Sequence, residues 1–110
     1  MLSSDVIRGH VDTIVLKLLS EKDMYGYELA NVIKERTKNV FEIKEATLYS
    51  VLQRMESREL IDSYSGEKSF GRKRRYYRLT SLGKAYLKTM VEEWETLKDI
   101  MQTILGSDAQ

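Results

Sequence analysis

Apolar residues recur at helical spacing in four stretches of the chain. In the first, Ile7, Val11, Ile14, Val15, Leu18 and Leu19 share a face, and the side-chain oxygens of Ser3, Ser4 and Asp5 stand ready to cap the amides ahead of them, so one helix is predicted to run to about Ser20. The polar break Glu21-Lys22-Asp23 ends it. Leu29, Val32 and Ile33 then mark a second helix that fades at Arg36-Thr37-Lys38-Asn39. After the short segment Val40 to Ile43, a third run turns Leu48, Leu52 and Met55 one way and Thr47, Ser50, Gln53 and Arg54 largely the others. This helix is amphipathic, with a polar outer face.

Past Leu60 the period changes. Ile61 to Tyr64 and Arg75 to Leu79 are short, aromatic or β-branched runs separated by Gly66 to Arg74, which predicts a β-hairpin with a long basic tip. Thr80 or Ser81 then caps a last helix, whose stripe of Leu87, Met90, Val91, Trp94, Leu97, Ile100, Met101 and Ile104 is the most regular signal in the chain.

Composition narrows what such a chain can do. Its 110 residues are 42% hydrophobic and 32% charged, the balance of a single folded domain rather than a disordered or membrane-embedded chain. With no cysteine, disulfides, thiolate nucleophiles and Cys-based metal centres are excluded, and a single histidine, His10, argues against a His-based catalytic pair or metal cluster. Carboxylate chemistry survives this argument, but the binding role that the helices and the basic hairpin point to requires no catalysis, so no enzyme and no cofactor is expected. Zero prolines favour long helices. Met1 to Val15 has no basic stretch leading into an apolar run, and no window of membrane-spanning length is apolar, so a cytoplasmic chain with no membrane partner is expected. The net charge is only +1, but its distribution is uneven. Gly66 to Arg78 holds six basic residues against one acid, a local balance of +5, and leaves −4 on the rest. A basic segment on a slightly acidic body is the footprint of a polyanion partner.

Three helices followed by a two-stranded hairpin is the order of a winged helix-turn-helix, in a mainly α chain with a long C-terminal helix. The third helix would enter the major groove of double-stranded DNA, where Thr47, Ser50 and Arg54 supply the short donors and acceptors and the arginine that base edges require. Lys44, near its start, could meet a phosphate; the Tyr49 hydroxyl could do the same, or its ring could pack. Lys68, Arg72, Lys73, Arg74 and Arg75 at the hairpin tip would lie on the phosphate backbone or in the minor groove, the alternative being a solvated charged loop.

The last helix adds a second expectation. Leu87, Met90, Trp94, Leu97, Met101 and Ile104 are spaced by 3, 4, 3, 4 and 3 residues, the seam of two helices in mutual contact, so a homodimer on a palindromic site is expected; the alternative is a stripe that folds back on its own core. Trp94 at mid-seam, flanked by Met90 and Met101, could sandwich a planar aromatic ligand or simply pack. His10 is expected to be exposed or structurally bonded. The competing class is a helical interaction module that binds a protein partner or RNA.

Several stretches resemble the PadR family of bacterial transcriptional regulators. Tyr25-Gly26-Tyr27-Glu28-Leu29 is similar to its second-helix signature, Ala46-Thr47-Leu48-Tyr49 with Leu52, Arg54 and Glu56 to its recognition helix, and Gly71 to Thr80 with Gly83 to its wing and following helix start. The resemblance implies a repressor whose residues 1–80 form the DNA-binding domain and 81–110 the dimerisation helix. It further implies dimerisation through the first and last helices, as in the compact branch of the family, and places Trp94 where multidrug-binding members carry a ligand-stacking tryptophan. Two residues depart from the pattern. Glu59 stands where a glycine usually precedes the Leu60-Ile61 pair, so the helix is expected to lack its left-handed cap, and Lys44 replaces the usual Ser or Asn at the recognition-helix start.

Overall fold

A computed structural model of the chain describes residues 4–69 and 72–106, with side chains over 5–66 and 74–106. Ser3, Phe70 and Gly71 lie outside the described residues. The elements run α1 (Ser4–Arg8), α2 (Val11–Glu21), β1 (Met24–Tyr25), α3 (Gly26–Arg36), α4 (Glu45–Ser57), β2 (Ile61–Ser69), β3 (Arg72–Leu79) and α5 (Ser81–Leu105). The predicted first helix is therefore two. Gly9 and His10 form a turn in which the His10 N–H donates to the Ile7 carbonyl at 2.8 Å, and the helix restarts when Ile14 N–H reaches the His10 carbonyl at 3.1 Å. Glycine is the poorest helix former after proline, so the chain bends where continuing the helix gains least.

The second and third predicted helices, α3 and α4, end in the same way. The Lys38 and Asn39 amides reach back to the Glu35 and Lys34 carbonyls, and those of Glu59 and Leu60 to Glu56 and Met55, the pairing of a left-handed helix stop. Lys38, Asn39 and Glu59 adopt φ of 52°, 67° and 64°. The expectation that Glu59 forfeits this cap is thus corrected: the cap forms, held by the burial of Leu60 beside Met55, at the steric cost a Cβ brings to this region.

The hairpin is also longer than predicted. β2 and β3 pair antiparallel from Ile61↔Leu79 out to Ser69↔Arg72, so most of the stretch assigned to a basic loop is strand, interrupted by a bulge between Ser65 and Lys68. A run of charged residues hid a pairing pattern that alternating apolar residues would have displayed. Gly66 sits in the bulge because the Tyr76 ring crosses it; a Cβ there would come within 2.3 Å of the ring. A third strand, β1, adds Met24 and Tyr25 opposite Tyr77 and Tyr76, giving the sheet order β1-β3-β2.

The core sits between α2, α3, α4 and the sheet. Val15, Leu16, Met24, Leu29, Leu48, Leu52, Met55 and Ile61 are its fully buried side chains. The start of α5 is fastened to this body. Thr80 Oγ1 accepts from the Gly83 amide at 2.9 Å, as the capping expectation required, and the Thr80 amide donates to the Leu60 carbonyl at 3.1 Å. Gly83 lies so close to that carbonyl that a Cβ would stand 2.0 Å from its oxygen. From there α5 extends for 25 residues, about 37 Å at 1.5 Å per residue, which gives the molecule its long dimension of 56 Å. Among the described residues no helix is long and apolar enough to cross a membrane.

Candidate nucleic-acid interface

Leu48, Val51, Leu52 and Met55 anchor α4 in the core. At about 100° per residue this leaves Ala46, Ser50, Gln53 and Ser57 along the outermost line of the helix, with Thr47 and Arg54 on one flank and Glu45, Tyr49 and Glu56 on the other. Thr47, Ser50 and Gln53 are exposed, and their side chains make no hydrogen bond among the described residues. Ser57, by contrast, donates to the Arg54 carbonyl at 2.8 Å.

The flanks are held. Arg54 Nη2 lies 2.5 Å from Asp12 Oδ1, whose side chain on α2 is only 16% exposed, so the predicted DNA-contacting arginine is drawn to the α2 side of the face. Tyr49 is partly packed. Its ring leans on Gly26, where a Cβ would come within 2.5 Å of the phenol oxygen, while the side chain stays substantially exposed. Lys44 stands at the helix start in extended backbone and gives no capping bond, leaving an exposed ammonium beside α4's free amides.

The hairpin reaches the same side of the molecule. An open cleft of about 620 Å³ between hairpin and α4 is lined by Tyr25, Tyr27, Glu45, Tyr49, Arg74 and Arg75. Arg74 stacks over the Tyr25 ring at 4.3 Å, which holds its guanidinium at the cleft. Arg75 Nη1 donates to Ser63 Oγ at 2.8 Å, and Ser63 donates to Glu56 Oε2 at 2.6 Å, a relay that ties the hairpin to the end of α4. Tyr64 and Tyr76 stack at 5.8 Å and stiffen the hairpin base; the Tyr64 hydroxyl donates to Asp23, and that bond raises its pKa above the ordinary phenol value. Burial does the same to Tyr77. The side chains of Lys68, Arg72 and Lys73 lie outside the described residues, although their backbones pair in the hairpin, Lys68 opposite Lys73 and Ser69 opposite Arg72. Sequence reading missed Asp12, Ser63 and the shelf made by Tyr25, because Asp12 acts across 42 residues of chain, Ser63 links partners 7 and 12 residues away on different elements, and Tyr25 lies in a two-residue strand with no period of its own.

The α5 seam divides. Leu87 is a correction: it is 9% exposed and belongs to the protomer's own core, because the first turns of α5 are clamped to Leu60 and lie against α2. Met90 is half-buried at the boundary. Beyond it Trp94, Leu97, Met101 and Ile104 are exposed, as are Val91, Ile100 and Leu105. Trp94 meets His10 edge-to-face with ring centroids 5.7 Å apart, and the two open onto a groove of about 490 Å³ lined further by Val6, Leu97, Met101 and Leu105. Met90 does not line it. Among the described residues no cluster of three or more His, Cys, Asp or Glu could hold a metal ion.

A polar helix face beside a hairpin carrying arginines belongs to many DNA-binding proteins, and comparison with known sequences decides which. The profile of the transcriptional regulator PadR-like family matches residues 15–89, from α2 into α5. The chain is a PadR-family protein. The family's work is regulation of transcription rather than catalysis. A 105-residue stretch is 55% identical to an uncharacterized protein of Lysinibacillus sphaericus, covering 96% of each chain. Among solved structures, a transcriptional regulator from Clostridium thermocellum is similar at 48% identity with a TM-score of 0.86, covering 94% of this chain and 97% of that one. A PadR family transcription regulator from Clostridium difficile is similar at 41% identity with a TM-score of 0.77, covering 88% and 99%. The winged-helix reading of the sequence is thereby established for this PadR chain.

Proposed function

We propose that the chain is a homodimeric DNA-binding repressor that holds two winged-helix heads, residues 1–80, on a palindromic operator through a tail, residues 81–110, whose outer part beyond Met90 pairs with a second copy. The observation that carries this reading is the opposition of two surfaces. Thr47 and Ser50 face outward on α4 with Arg54 on one flank, the other flank borders the cleft lined by Arg74 and Arg75, and the apolar outer half of α5 lies uncovered. Lys44 and Tyr49 would contact phosphates, and Lys68, Arg72, Lys73, Arg74 and Arg75 would follow the backbone or minor groove. A chromosomal target places the work in the cytoplasm. Selection of bound duplexes from a random pool tests it. An inverted repeat whose half-sites lie a helical turn or a multiple of it apart is expected, with binding that weakens in Arg74→Ala plus Arg75→Ala and a salt slope lowered by roughly one per lost contact. Failure to prefer any duplex at moderate salt would favour an interaction module for RNA or protein.

A second reading concerns control. The Trp94–His10 pair and Met101 offer an aromatic, adaptable wall, which supports a planar aromatic effector bound between the two copies of α5, with Met90 brought in at the edge by the partner. Planar cationic dyes should quench the Trp94 fluorescence. A Trp94→Ala variant that binds the same dyes equally well, read by dye fluorescence, would remove the site.

A further inference from the structure

The outer line of α4 holds one side chain whose chemistry the functional reading has not used. We infer that Gln53 is the principal base-reading residue of this chain and that it selects an adenine in the major groove, an inference that rests on the DNA-binding reading above.

The argument is one of availability. A recognition helix reads bases with the polar groups on its outermost line that are not already bonded within the protein. Of the candidates there, Ser57 donates to the carbonyl of Arg54 and ends the helix, and Ala46 has no polar group. Arg54, the residue best suited to guanine, is held to one flank by Asp12, and Tyr49 leans on Gly26 on the other. Ser50 and Gln53 remain on that line, with Thr47 on its flank offering only the same single hydroxyl as serine; all three are exposed, and their side chains make no hydrogen bond among the described residues. Serine is a poor discriminator, because one hydroxyl donates or accepts and so matches any base edge. The Gln53 amide offers a donor and an acceptor side by side. The adenine N6 amine and N7 match that pair, whereas guanine presents two acceptors there. Ser50 and Gln53 are one turn apart, about 4.5 Å along the axis, so the two address neighbouring base pairs. The methyl of Ala46, in line beyond Ser50, fits the C5-methyl of a thymine.

The test uses the full chain and a random duplex pool, with the wild type and Gln53→Ala selected in parallel. Position 53 is an exposed helical site, so the alanine variant keeps its fold, which circular dichroism verifies. The wild type is expected to select an adenine–thymine pair in each half-site whose exchange for guanine–cytosine weakens binding roughly 5- to 150-fold. Gln53→Ala should level that one position to within about 2-fold and leave the other positions and the salt slope in place. Replacing the selected adenine by 7-deazaadenine should weaken the wild type and leave Gln53→Ala unaffected, which assigns the contact to N7. Identical preferences in wild type and variant would overturn the inference while leaving DNA recognition standing. A wild type that selects no sequence at all would overturn the DNA reading and this inference together.

Discussion

The two halves of α5 carry the same kind of stripe and meet opposite fates. From Ser81 to Met90 the helix is part of the head: Gly83 and Leu87 are buried, and Thr80 and Gly83 lock its start to Leu60. From Val91 onward every residue to Leu105 is exposed, including Trp94 at 44%, Leu97 at 40% and Ile104 at 75%. A heptad spacing specifies that a helix will be covered along one face; it does not specify whether the cover comes from the same chain. The body reaches only as far as His10 and the Trp94 ring, so the rest of the stripe is available to a second copy.

The strongest way to break this contrast is to cut one apolar side chain from each half. Leu87→Ala should destabilise the chain by about 2–5 kcal/mol in urea unfolding, because it leaves a cavity in the core. Ile104→Ala should change the unfolding of the isolated chain by no more than about 0.5 kcal/mol, yet raise the protein concentration at which self-association adds to stability. Equal effects in the two variants would mean that both halves are satisfied in the same way. Next in size is Gly83→Ala, which forces a methyl against the Leu60 carbonyl and should cost about 1–3 kcal/mol by the same measurement.

A smaller change should act in the opposite direction. Glu59→Gly relieves the left-handed strain at the junction where Thr80 docks and should stabilise the head by about 1 kcal/mol, raising the midpoint of thermal unfolding. The smallest effect belongs to the outer half. Lys98 bonds Glu95 at 3.0 Å, and that bond raises the lysine pKa above its ordinary 10.5. Because the folded value is the higher one, the pair's contribution is complete below pH 10.5 and is lost as the pH rises through the raised value. Hydrogen exchange in alkaline solution should then show α5 fraying beyond Trp94 before the head loosens.

The helices were legible because each depends on a local period, and the winged-helix order followed from their sequence along the chain. The features that escaped depend on partners distant in sequence. The Gly9–His10 turn was hidden because one glycine inside an apolar stripe does not by itself end a helix. The strand β1 is two residues long and exists only because Tyr76 and Tyr77 lie opposite it. The basic tip read as a loop because Lys68, Lys73 and their neighbours mask the alternation of paired strands. At the candidate interface the face of α4 was readable, but Asp12 drawing Arg54 aside was not, since 42 residues separate them. Leu87 was assigned to the seam because spacing alone assigns a position to a face and never to a partner.

The central claim is that the outer half of α5 joins two heads at a separation set by DNA. Sedimentation of the chain with a saturating amount of its selected duplex tests it most directly: the account predicts two chains on each inverted repeat, reduced to weak single-chain binding on a lone half-site. One chain per duplex at saturation, with full affinity for the half-site, would contradict it.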